Sequence, residues 1–142
     1  MSSGFADSER AIQSRVVTEW ADATPVKWPN VDFAQPKGTP WIAVHIQDAG
    51  AVKGAIGSGT GSLERYAGVL ICQVFAPEDT GTAIAKGLAD DFAALFKDIQ
   101  ISSGSSGTIT FDLPSFREIG TVESGLYQIN VNCPFRRDRF ET

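Results

Sequence analysis

Residues 41–76 read WIAVHIQDAGAVKGAIGSGTGSLERYAGVLICQVFA, and the fold turns on how that stretch divides. Ile42, Val44 and Ile46 alternate with Ala43, His45 and Gln47, which gives a strand over 41–47 one apolar face. Residues 65–76 are apolar on both faces and predict a central strand. Between them lies AGAVKGAIGSGTGS, residues 49–62. A hairpin turn needs only about two to five residues. A connection this much longer asks for a function, either as a cradle for a small anion or as a mobile arm for a protein partner.

Upstream, Ile12, Val16 and Trp20 recur every four residues with Val17 beside them, so residues 7–22 predict an amphipathic helix capped by Asp7 or Ser8. Pro25, Pro29, Pro36 and Pro40 forbid helix or central strand over 24–40. Val26, Trp28, Val31 and Phe33 make that segment extended and pinned to the core by its side chains. Downstream, Pro77 ends the second strand, and Thr80 or Thr82 opens a helix through Ile99 with a stripe of Ile84, Leu88, Phe92 and Leu95. SSGSSG at 102–107 reads as a flexible loop. Ile109, Phe111 and Leu113 then alternate, residues 116–122 form a weaker strand, and Tyr127, Ile129, Val131, Cys133 and Phe135 give the cleanest alternation of all. The order is α-β-β-α-β-β-β. The simplest packing is an α+β layer: two helices on one face of a mainly antiparallel five-stranded sheet.

The chain has 142 residues, about one domain spanning 1–142. Its 42% hydrophobic and 20% charged residues suffice for a buried core and argue against disorder. Twelve Lys and Arg against 17 Asp and Glu leave a net charge of -5, which disfavours binding nucleic acid by counterion release. The same charge suits a protein past which DNA slides without sticking. No apolar run approaches the ~20 residues of a membrane span, and the N-terminus lacks the basic-then-apolar pattern of a signal peptide. Cys72 and Cys133 read as reduced core thiols of a cytoplasmic protein, with a single bridge left open.

The chemical motifs are weak. A phosphate loop places lysine directly after glycine and leads into a helix. Here Lys53 precedes Gly54 and a strand follows. His45 is the only histidine, and its one conceivable nucleophilic partner, Cys72, sits in the apolar run VLICQV typical of structural thiols. One His and two distant Cys make no four-ligand metal site. Glu78-Asp79 and Asp90-Asp91 read as solvated surface, and Arg136-Arg137-Asp138-Arg139 as a basic surface patch for a protein partner. The expectation is no catalytic residue, no cofactor and no metal.

Several segments taken together resemble one family. Trp28-Pro29-Asn30-Val31-Asp32-Phe33, followed by Pro36, Gly38 and Pro40-Trp41, is similar to the lead-in to the first strand of small phage tail-completion proteins. Arg65 and Gly68, Val74-Phe75-Ala76-Pro77, Gly81 and the helix ending in Phe92 to Phe96 resemble the same family's second strand and helix. Tyr127 to Val131 with Cys133-Pro134-Phe135 resembles its last strand. The family is that of the tail terminators of long-tailed phages and prophages, similar to the lambda minor tail terminator.

The resemblance implies a non-enzymatic ring, usually of six subunits. That ring caps the tail tube, stops its polymerisation and offers a surface for the head–tail connector. The partners are then other copies of the chain, the tube protein and the connector, with no membrane and no specific nucleic-acid binding. The place is the host cytoplasm during assembly and afterwards the virion tail. By position, the family's contact loop falls on residues 49–63. The candidates are Gly50, Val52, Lys53, Gly54, Ile56, Gly57, Gly59, Gly61 and Leu63, with Arg65 beside them. This loop is expected to stay disordered until a tube tip orders it. Glu64, Glu78 and Asp79, near strand ends, are candidates for an acidic lumen that repels DNA. Two rival readings remain: another head–tail connector or neck protein, and a small-ligand protein or enzyme using the Gly-rich loop.

Overall fold

Two helices form where the apolar stripes predict them, with shifted ends. A computed structural model describes residues 4–21, 23–54, 62–77, 81–102, 107–122 and 125–141. Helix α1 spans Gly4–Trp20. It starts earlier than expected, so Asp7 lies in its first turn rather than capping it, and its carboxylate pairs with Arg10 at 3.2 Å. Ala21, at φ 51°, ends the helix before the expected Asp22. Helix α2 spans Ala83–Leu95, four residues short of the expected Ile99. Arg15 of α1 donates from Nε to the Leu95 carbonyl at 2.8 Å, meeting one of the acceptors that a helix C-terminus leaves bare.

The strands are β1 Val26–Lys27, β2 Trp41–Gly54, β3 Ser62–Pro77, β4 Gln100–Ser102, β5 Thr108–Phe111, β6 Ser115–Val122 and β7 Leu126–Glu141. They form one sheet in the order β1-β2-β3-β7-β5-β4, with β6 also on β7. All pairs are antiparallel except β1 with β2. The expected five strands are therefore corrected to seven. The short β1 arises between prolines, where the Pro25 carbonyl accepts the Ile42 N–H at 3.1 Å. β4 arises because α2 stops early and leaves Gln100–Ser102 free to pair with β5. The long β7 has β3 along one edge, while its other edge is divided between β5, opposite residues 135–138, and β6, opposite 126–132.

Both helices cover one face of the sheet. Ile42 and Val44 of β2, Leu70, Cys72 and Val74 of β3, and Ile129, Val131 and Cys133 of β7 share that face by register. They form one cluster with Ile12, Val16, Trp20, Phe92 and Phe96. The ring of Trp20 meets Phe92 edge-on at 5.6 Å, and Phe96 meets Phe111 at 4.9 Å. Among the described residues no helix lies on the other face. At one end of it Trp41 stacks on Phe75 at 4.3 Å and lies against Phe33. Farther along, the open face is mixed, with His45, Gln73, Gln128, Asn130 and Asn132 beside Ile71 and Val69.

Candidate functional site

In the connection read as a long loop, residues 49–54 and 62–63 are strand, and for them that reading is corrected; residues 55–61 lie outside the described residues. β2 and β3 pair from Trp41 opposite Phe75 out to Gly54 opposite Leu63. Gly50 faces Ala67, Val52 faces Arg65 and Lys53 faces Glu64 within this ladder. The register slips between Asp48 and Gly50, and Gly50 takes φ 114°, a conformation that glycine adopts without steric cost. The ladder persists because β7 runs beside β3 as far as Glu141, so the hairpin is paired on its β3 side throughout. Ile56, Gly57, Gly59 and Gly61 lie outside the described residues, as do Glu78 and Asp79. Glu64 is in β3, with Lys53 and Arg139 at its two register positions.

Arg65, its side chain half exposed, reaches across to its register neighbour on β7. Its Nε and a terminal nitrogen donate to the two oxygens of Asp138 at 2.7 and 3.1 Å, a bidentate cross-strand pair. The guanidinium holds the Asp138 carboxyl below its ordinary range, and the hydrogen bond to Asp138 raises Arg65. The basic run 136–139 is strand, not tail, and is buried in part. It belongs to β7, where Arg136 pairs with Asp112 at 3.4 Å and Arg137, 4% exposed, lies 4.2 Å from the centre of the Tyr66 ring, while the Arg139 side chain lies outside the described residues. The sequence hides this because alternating polar positions look the same on a tail as on a strand.

The geometry disfavours the nucleophile and the phosphate cradle. His45 lies on the open face, opposite Ile71, while Cys72 points into the helix-covered core. His45 Nε2 is 2.9 Å from Gln73 Oε1 instead. Burial pushes the Cys72 thiol well above its ordinary value, with nearby Cys133 adding to the effect, and burial pushes Cys133 up to about 12. Neither is a ready thiolate. Both cysteines are free. Lys53 lies in the β2–β3 ladder opposite Glu64, and among the described residues the next element after the Gly-rich run is β3, not a helix. Among the described residues no group of three metal-ligating side chains converges, and no helix is long and apolar enough to cross a membrane.

Two unlike corners complete the surface. At the β1 edge, Trp28 packs against the helix-side core while Phe33 packs into the small cluster on the open face. Residues 29–32 therefore wrap around the edge of the sheet. At the opposite edge, a groove of about 440 Å³ opens between α2 and the β5–β6 connection. Its neighbour β6 is tied down by Tyr127, whose hydroxyl donates to Glu118, and by Lys86 of α2, 3.3 Å from the same carboxylate. The Tyr127 hydrogen bond and then Lys86 lower Glu118 below its ordinary value. The sequence analysis missed this groove: Leu113 and Phe116 were read as ordinary strand positions.

Comparison with known proteins completes the picture. Residues 9–135 match the family model described as phage tail terminator protein. No curated protein matches the chain. A solved chain that carries no functional description has the same fold at 20% identity and TM-score 0.71, covering 93% of this chain and 94% of that one. A chain from a structure described as the virion of a native gene transfer agent particle shares the fold at 13% identity and TM-score 0.51, covering 91% of this chain and 92% of that one. A match across nearly all of the described sheet and both helices leaves one conclusion: the chain belongs to the phage tail terminator family, a family of structural virion proteins.

Proposed function

We propose that this chain caps the tail tube of a phage or phage-like particle as a ring of six copies, ends tube growth and presents the surface to which the head–tail connector joins. The observation that carries this reading is the ribbon of β2, β3 and β7. It continues to Gly54, Ser62 and Glu141, whereas among the residues whose side chains are described the last buried core positions of β2 and β3 are Val44 and Leu70. A paired ribbon that outruns its own core is a stiff projection suited to docking. Gly50, Val52, Lys53, Gly54, Leu63 and Arg65 belong to it, and Ile56, Gly57, Gly59 and Gly61, between them in sequence, are assigned to the same contact. The bidentate Arg65–Asp138 pair braces its base.

The ring reading fits the edges as well. Open sheet edges are liabilities that soluble proteins guard or use. A head-to-tail contact whose rotation closes produces a ring and consumes both edges. The net charge of -5 suits a lumen that passes DNA without holding it, with Glu64, Glu78 and Asp79 as the acids assigned to the lumen. The protein acts as one unit over residues 1–142, without catalysis or cofactor. It works in the host cytoplasm during assembly and then in the virion tail.

Electron microscopy of growing tail tubes with and without the protein tests the assignment. Rings at tube ends and arrested tube length are expected. Binding to portal complexes with no effect on tubes would make the chain a neck connector instead.

A further inference from the structure

We propose that neighbouring copies join by inserting the corner Pro29–Asp32 of one into the α2–β6 groove of the next. This rests on the ring reading above and names its contact. The two surfaces lie at opposite edges of one sheet, at β1 and at β6. A contact between them is head-to-tail, the kind that closes into rings.

The corner is preorganised. Pro29 fixes its own backbone, Asn30 is held at φ 56°, and Trp28 and Phe33 anchor both ends on opposite faces of the sheet. A rigid segment loses little conformational freedom on docking. Val31, 57% exposed, stands at its tip with Asp32 beside it. A shallow hollow of about 510 Å³ separates this segment from His45.

The groove has the matching chemistry. Its floor is Ala93 and Ala94 of α2 with Leu113, Pro114 and Phe116. Leu113 and Phe116 are 64% and 51% exposed, an unusual outlay of large apolar side chains at one spot. Val31 is small enough to enter it. Charge agrees as well. Lys97 in the groove wall has no ion pair with any described residue, and the same holds for Asp32 at the corner. Asp90 and Lys27 supply the reverse pair. The two surfaces can thus pair crosswise, Lys97 with Asp32 and Asp90 with Lys27, and their places at opposite edges of the sheet suit a head-to-tail arrangement.

The register slip in β6 between Glu118 and Gly120 distorts its outer edge, so side chains rather than an added strand carry the contact. Four corner residues cover only a fraction of the ~800 Å² per partner that a stable complex buries. Free copies therefore meet weakly, and closure on a tube tip adds the remainder.

Disulfide trapping tests the contact. Full-length Val31→Cys is mixed with full-length Ala94→Cys, both at exposed positions, under mild oxidation. A cross-linked dimer is expected from the mixture and not from either variant alone. Adding Asp32→Lys to the first partner should cut its yield at least ten-fold, and adding Lys97→Asp to the second should restore it. Unchanged melting temperatures confirm folding of each variant. No cross-link in the mixture, or a yield indifferent to both charge reversals, overturns the contact. So does trapping of Val31→Cys on tube protein in place of a second copy. Rings that still form on tubes when every copy carries Asp32→Lys alone refute the contact and leave the ring reading standing. Trapping that behaves as expected without rings at tube ends supports the contact and refutes the ring.

Discussion

Gly68→Ala is the substitution that most directly tests how the sheet is packed. Gly68 lies in β3 opposite Phe135 of β7 and beside Asp48 of β2. A methyl at residue 68 meets the far end of the Phe135 ring at 2.6 Å and the Gln47 carbonyl oxygen at 2.8 Å. Both distances are too short for van der Waals contact, and only the ring can swing away. Overpacking of this kind costs about 1–3 kcal/mol. Against it, alanine restricts the unfolded chain and returns about 0.4–1 kcal/mol, because the glycine backbone here is ordinary. The net loss is on the order of 1–2 kcal/mol. In a chain of this size each kcal/mol moves Tm by roughly 3–4 °C, so circular-dichroism melting should show a fall of roughly 3–8 °C. Phe135→Leu removes the far edge of the ring. In that background the cost of Gly68→Ala should shrink but persist, since the Gln47 carbonyl stays in place. A Tm for Gly68→Ala at or above that of the parent refutes the reasoning. An identical cost in both backgrounds would show that the alanine does not meet the ring.

Other perturbations follow from the same contacts. Asp138 is held below its unfolded value by Arg65, so its contribution is present above about pH 4 and is lost as pH falls through the folded value. Melting scans from pH 6 to pH 3 should therefore show a drop in the parent that is smaller in Asp138→Asn. Phe92→Ala empties a site that is 0% exposed between Trp20 and Phe96, and urea titration should register a loss of about 3–5 kcal/mol. Burial keeps the Cys72 and Cys133 thiols protonated, so a disulfide reagent should react with neither in native protein over minutes and with both at once in denaturant. Fast native reaction at either thiol would contradict the packing around it.

What was legible in the sequence was whatever one local period could carry. Ile42, Val44 and Ile46 and the run Tyr127 to Phe135 alternate against a helix-covered face, and both became strands in the expected orientation. The stripes of α1 and α2 were equally plain, while their ends were not. Ala21 at φ 51° carries no glycine to announce a stop, and Phe96 to Ile99 continue an apolar pattern after the helix has finished. The outer half of the hairpin was misread because glycine and alanine give no alternation, and its pairing depends on β7 lying alongside. For the same reason Arg136 to Arg139 looked like a tail. The candidate groove was the least visible part. Leu113 and Phe116 are ordinary strand residues by pattern, and only the placement of α2 beside the β5–β6 connection makes them neighbours of Ala93 and Ala94.

β7 has a consequence for how the protein is made. It is the last strand in chain order, yet it sits inside the sheet with β3 on one side and β5 and β6 on the other. Until residues 126–141 are made, β3 has β2 on one side only and β5 and β6 have no strand to anchor them to it. Closure of the sheet must therefore wait for β7 and bridge distant parts of the chain, which slows folding. Meanwhile the nascent β3, apolar on its core side, exposes an open edge to its neighbours. Expression at reduced temperature or with a chaperone that shields strands should raise the soluble yield more than any stabilising change within α1.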